Sequence, residues 1–209
     1  LHFPERSILL LHVDQHDLTE LIASSDLVAE FRCAKDTPSF WLELEPYEQA
    51  DWVNDLRDRL SVHTDTDVFV CLLDTGVNNG HVLIEPHLND QDRFSVRQEW
   101  GVEDHHQHGH GTMMAGLAIY GDLSVVLESR NSVEIVHGLE SVKLLPPPTH
   151  NETPRHLWGD FTRQAIYIAE ASSPDRKRIG CMAVASEDGR DRGQPTSWSG
   201  AIDQLSSED

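Results

Sequence analysis

An α/β fold built on a parallel sheet is what this sequence predicts, and three observations predict it. Residues 68–73 (VFVCLL) are apolar throughout and too few for a helix. A run of that kind suits a strand covered on both faces, as in a parallel sheet. Beyond residue 60 the segments alternate as strand, loop, helix, strand, helix, strand, helix, the order of a parallel α/β domain. The helical stretch 109–120 carries Gly111, Ala115, Gly116 and Ala118, small residues that let a helix pack closely on a sheet.

The elements follow in order. Residues 8–13 (ILLLHV) and 26–35 (DLVAEFRCAK) read as strands, with a helix at Gln15–Ser24 between them on Leu18, Leu21 and Ile22. Pro46 is a good first-turn residue, and Tyr47, Ala50, Trp52, Val53, Leu56 and Leu60 give an amphipathic helix to about residue 60. Residues 61–67 read as a polar connection, and 85–93 as loop. Residues 133–136, 141–145 and 179–185 read as strands, 161–171 and Ser197–Leu205 as helices. The organisation predicted is an α+β appendage at 1–36, a linker and amphipathic helix at 37–67, and the α/β domain at 68–209.

Composition excludes several functions. Acidic residues number 36 against 16 basic ones, a formal net charge of -20 at pH 7. That opposes nucleic-acid binding and polybasic membrane contact. No apolar run approaches the roughly 18 residues of a transmembrane helix. The 3 cysteines are odd in number and far apart, which does not suggest a disulfide framework. With no signal-peptide pattern at the start, the cytoplasm is favoured.

Two segments carry chemistry: Leu72-Leu73-Asp74-Thr75-Gly76-Val77, and Gly109-His110-Gly111-Thr112-Met113-Met114-Ala115-Gly116. Asp74 ends a buried strand, where working residues of parallel sheets gather. His110 opens a helix. A carboxylate and an imidazole in such places suit acyl transfer. A neutral serine needs a base to take its proton, and histidine serves near neutral pH. A carboxylate on Nδ1–H fixes the tautomer and stabilises the imidazolium. Taken singly, Asp74 is also an ordinary strand-end turn residue and His110 an ordinary helix-terminal histidine. Their pairing weighs against both readings.

The two segments, in that order, resemble the aspartate and histidine segments of subtilisin-like serine proteases (subtilases). The resemblance implies a three-layer α/β fold and a serine endopeptidase, with Asp74 and His110 as catalytic residues and no cofactor. It implies a peptide or protein substrate, and the acidic charge balance gives no nucleic acid or membrane as partner. Ser141-Val142-Lys143-Leu144-Leu145 is similar to the family's A-V-K-V-L-like strand. Residues 179–186 take the place of its I-N-M-S-L-G-like strand, whose backbone binds substrate as an extended strand. Met182, Ala183, Val184, Ala185 and Ser186 are thereby implied as substrate-binding. Ser199-Gly200-Ala201-Ile202-Asp203 is similar to a family helix. Residues 8–35 resemble the tail of a subtilase propeptide; an unrelated N-terminal addition is the other reading.

The sequence carries no A-G-N-like turn for an oxyanion asparagine and no G-T-S around any serine, including Ser197, Ser199, Ser206 and Ser207. A domain truncated before its nucleophile is therefore expected, inactive alone, with the serine beyond residue 209. Two other readings stand beside this one. One is a non-catalytic subtilase-like peptide-binding module. The other is metal binding by the cluster His105, His106, His108 and His110, since imidazole is a common ligand of zinc, nickel and copper.

Overall fold

The computed structural model describes residues 7, 9, 11–32, 39–63, 65–185 and 194–207. The chain divides into two units, Leu1–Glu43 and Leu44–Asp209. In the first, Asp14 caps helix α1 (Gln15–Ser24) by accepting the Asp17 N–H at 2.9 Å. A short helix α2 (Ser39–Glu43) follows. The strands expected at 8–13 and 26–35 do not form in their described parts, since 11–13 and 28–32 are irregular and 26–27 a turn. An apolar run becomes a strand only where a ladder receives its N–H and C=O groups, and no ladder is recorded along these described stretches.

The second unit opens with helix α3 (Pro46–Arg59), whose Glu48 carboxylate accepts the Glu45 N–H at 3.0 Å and whose Leu56 is fully buried. Of the polar connection expected at 61–67, residues 61–62 belong to a strand, while the described residues 63 and 65–67 lie outside helix and strand. Strand β1 (Leu60–Val62) pairs in parallel with a later strand, Val133–Ile135. Arg59 ties the same region down through the carbonyls of Asn131 and Val126.

The main sheet is parallel throughout. Strand β2 (Val68–Asp74) lies inside it, and β3 (Arg93–Ser95) at one edge. Helix α4 (His110–Tyr120), helix α5 (Leu123–Glu128) and β4 (Val133–Ile135) follow in the chain. Then come β5 (Gly138–Lys143), α6 (Trp158–Ser172), β6 (Lys177–Cys181) and α7 (Ser197–Leu205). The order across the sheet is β3-β5-β2-β6.

Two strands sit earlier than the sequence suggested. In β5 the ladder runs from Phe69↔Gly138 to Asp74↔Lys143. The N–H groups of Leu144 and Leu145 both turn to the Asp74 carbonyl, at 2.7 and 3.2 Å, so the strand stops there. In β6 the pairing ends at Leu72↔Cys181, and residues 182–185 leave the ladder.

Side chains alternate across β2. Cys71 and Leu73 join Val142, Trp100 and the α6 residues Phe161 and Ala165 in one buried cluster. Asp74 faces the other way and reaches α4. Helix, sheet and helix thus form three layers. Among the described residues no helix is long and apolar enough to cross a membrane.

Candidate active site

Asp74 and His110 meet. The two come from the carboxyl end of β2 and the first turn of α4, and His110 Nδ1 lies 2.8 Å from Asp74 Oδ1. The carboxylate is 2% exposed and the imidazole 36%. Facing a carboxylate, Nδ1 carries the proton and donates, which leaves Nε2 as the basic lone pair. Asp74 Oδ1 also accepts the Thr75 N–H at 2.7 Å. Its Oδ2 is buried and meets no donor among the described residues.

Two glycines allow this approach. Gly111 packs so tightly on the D-T-G turn that a Cβ there would lie 2.1 Å from the Gly76 carbonyl oxygen. Gly76 has φ +95°, and a Cβ on it would lie 2.5 Å from the Val102 carbonyl oxygen. Both contacts are with backbone, which cannot move aside cheaply.

Sequence reasoning missed three residues here. Asp104 is buried and accepts four hydrogen bonds. Oδ1 takes the Thr75 hydroxyl at 2.8 Å and the His106 N–H at 3.0 Å. Oδ2 takes the N–H and the hydroxyl of Thr112, both at 2.8 Å. Gly109, at the N-cap of α4, offers no side chain, and Asp104 fills that role from outside the helix. Burial raises the Asp104 carboxyl's pKa, but the donors of Thr112, His106 and Thr75 outweigh it and hold the group below the usual carboxylate range.

Thr75 is the second. Its hydroxyl accepts the Gly111 N–H at 3.1 Å and lies 3.1 Å from Asp74 Oδ1. The third is Lys143, a fully buried lysine aligned with Asp74 in the ladder. Its ammonium donates to the Glu103 carbonyl at 2.7 Å and contacts His105 Nδ1. Burial lowers its pKa, opposed by the charges of Asp104 and Glu103. The one sequence signal for it was a charge inside an apolar strand.

Of the other histidines, His106 stacks edge-on at 5.6 Å from His110 and 5.9 Å from His108, ring centre to ring centre. His105 turns to Lys143 instead. No three of the four bring ligand atoms together. The single group of that kind among the described residues is exposed and lies elsewhere, at Asp14, His16 and Asp17.

Met182, Ala183, Val184 and Ala185 follow β6 as irregular backbone, and Ser186 lies outside the described residues. Met182 packs on the core. Val184 and Ala185 line a cavity of about 300 Å³ walled by Leu144, Phe161, Trp158 and Trp198. Ser199 is engaged by Thr196 at the start of α7, while Ser206 and Ser207 donate to carbonyls of the same helix.

A family model described as the subtilase family matches residues 65–209. Searches of curated proteins and of solved structures gave no match.

Proposed function

Because the chain belongs to the subtilase family, whose members are serine peptidases, we propose that Asp74 and His110 are the acid and base of a peptide-hydrolysing triad completed by a serine from beyond residue 209. The observation that carries this reading is the 2.8 Å contact between His110 Nδ1 and Asp74 Oδ1. His110 Nε2 takes the proton of the serine hydroxyl as its oxygen attacks the scissile carbonyl. The imidazolium then delivers that proton to the leaving amine, and the C–N bond breaks. Water repeats the cycle on the acyl-enzyme. Asp74 holds Nδ1–H, so the free lone pair sits on the side of attack. It also stabilises the imidazolium, the cation that each half-reaction creates.

Residues 182–186 hold the substrate backbone in this reading. Two features support it. The segment leaves the sheet beside β2, which ends in Asp74. Val184 and Ala185 also border a cavity whose walls are mainly apolar and aromatic, a lining suited to an apolar substrate side chain.

The test is the reading frame that follows Asp209, expressed with residues 1–209 and treated with a serine-directed fluorophosphonate. A serine labelled there, with labelling abolished in His110→Ala, bears the proposal out. A frame with no such serine, or labelling indifferent to His110, replaces it with the peptide-binding module.

A further inference from the structure

We infer that Asp104 is a positioning residue for the acid–base pair, acting by turning the Thr75 hydroxyl proton away from Asp74. The inference rests on the reading of Asp74 and His110 given above.

Thr75 Oγ1 has one proton to give. It already accepts the Gly111 N–H, so that proton must go to an acceptor, and two lie within reach. Asp104 Oδ1 is at 2.8 Å and Asp74 Oδ1 at 3.1 Å. The shorter contact favours Asp104. Thr112 is fixed in the same sense. Its hydroxyl accepts the Asn78 N–H at 3.1 Å, so its proton goes to Asp104 Oδ2. All four neighbours of the Asp104 carboxylate are therefore donors, two on each oxygen, and its lone pairs are filled. A neutral amide in its place would set an N–H against one pair of these donors.

The consequence falls on Asp74. Its Oδ1 already accepts the Thr75 N–H and the His110 Nδ1–H. If Asp104 no longer drew the Thr75 hydroxyl proton, that proton would turn to the same oxygen. A third donor there competes with the imidazole and weakens its hold. Asp104 thus keeps Asp74 Oδ1 available to His110. With the other oxygen it anchors the Thr112 end of the turn that carries His110.

The experiment is proton NMR of the His110 Nδ1–H, whose low-field resonance reports the strength of its bond to Asp74. Asp104→Asn is expected to move that resonance upfield. Adding Thr75→Val, which removes the competing hydroxyl, is expected to bring it back toward the unsubstituted position. A merely structural role for Asp104 gives no such rescue. An unmoved resonance in Asp104→Asn, or a double variant no better than the single one, overturns the inference. If Asp104→Asn does not fold, the unsubstituted protein decides. A Thr75 hydroxyl proton coupled across its hydrogen bond to the Asp104 carboxylate supports the inference, and one coupled to Asp74 refutes it. Absence of the low-field resonance in the unsubstituted protein would instead sink the Asp74–His110 reading.

Discussion

The sheet buries acids at both ends and treats them differently. Towards its amino end, Glu140 is fully buried and meets permanent cations. Arg178 grips it with Nε and a terminal nitrogen at 2.6 and 2.9 Å, and Arg176 adds a bond at 2.8 Å while pairing with Asp92 at 2.6 Å. At the carboxyl end, every recorded donor to Asp104 is neutral. Asp74 meets neutral donors and one histidine. A fixed guanidinium beside Asp74 would hold the carboxylate whether or not the imidazole was charged. In the reading of Asp74 and His110 proposed above, neutral donors leave the imidazolium as the one charged partner hydrogen-bonded to Asp74. Glu140 is held directly by two guanidinium groups, whereas Asp74 and Asp104 are held by neutral donors and a histidine, and the nearby Lys143 ammonium bonds to the Glu103 carbonyl rather than to either carboxylate.

The contrast can be broken by substitution, most forcefully at the amino end. Arg178→Ala leaves Glu140 buried without its two-pronged partner and is expected to cost about 3–5 kcal/mol in urea unfolding. Replacing Glu140 and Arg178 together by leucine should recover most of that loss.

A buried base without a counter-charge gives the next effect. His87 is 5% exposed, its Nδ1 has no partner among the described residues, and burial together with nearby His137 pushes its pKa down to about 4 from 6.5. The unfolded chain therefore takes the proton first. The His87 contribution to stability is full above pH 6.5, falls as the pH drops towards 4, and changes no further below that. The total loss is at most about 3 kcal/mol by linkage. Unfolding across this range should show the slope, and His87→Phe should flatten it.

The smaller effects separate the two aspartates. Asp104→Asn faces a donor with donors and is expected to cost about 1–3 kcal/mol in a thermal melt. Asp74→Asn keeps one acceptor oxygen for the Thr75 and His110 donors and sets its amide where Oδ2 already lies buried without a partner among the described residues, so it trades one unsatisfied group for another and should cost less than Asp104→Asn. Equal costs would erase the distinction between the two acids at this end.

Much of this was legible in the sequence where one segment sufficed. An unbroken apolar run ending in Asp74 located β2, and the small residues after His110 located α4. Gln15–Ser24 was read to the residue from its apolar spacing, which is local, and the structure adds the Asp14 cap. What failed depended on partners distant in the chain. Residues 11–13 and 28–32 have strand composition but no recorded ladder. Residues 61–62 of β1 and Arg93 of β3 were read as connection and loop, and they become strands only beside β4 and β5. Residues 182–185 continue the apolar run of β6, yet their pairing with β2 has already ended. Asp104 is one acidic residue among 36, and nothing local marks it as the one that four donors converge on.

The parallel pairing of β2 with β5 has a kinetic consequence. Parallel neighbours cannot be joined by a tight turn, so the chain between them must travel out and return, and here that excursion carries α4. The entropy of closing so long a loop is lost before the ladder returns any stabilisation. The Asp74–His110 contact is therefore expected to mature with the slow, topology-limited phase of folding rather than with early helix formation. A stopped-flow experiment should find α-helical signal rising before the low-exposure environment of Asp74 is built, so that acid and base are brought together among the last events as the chain folds.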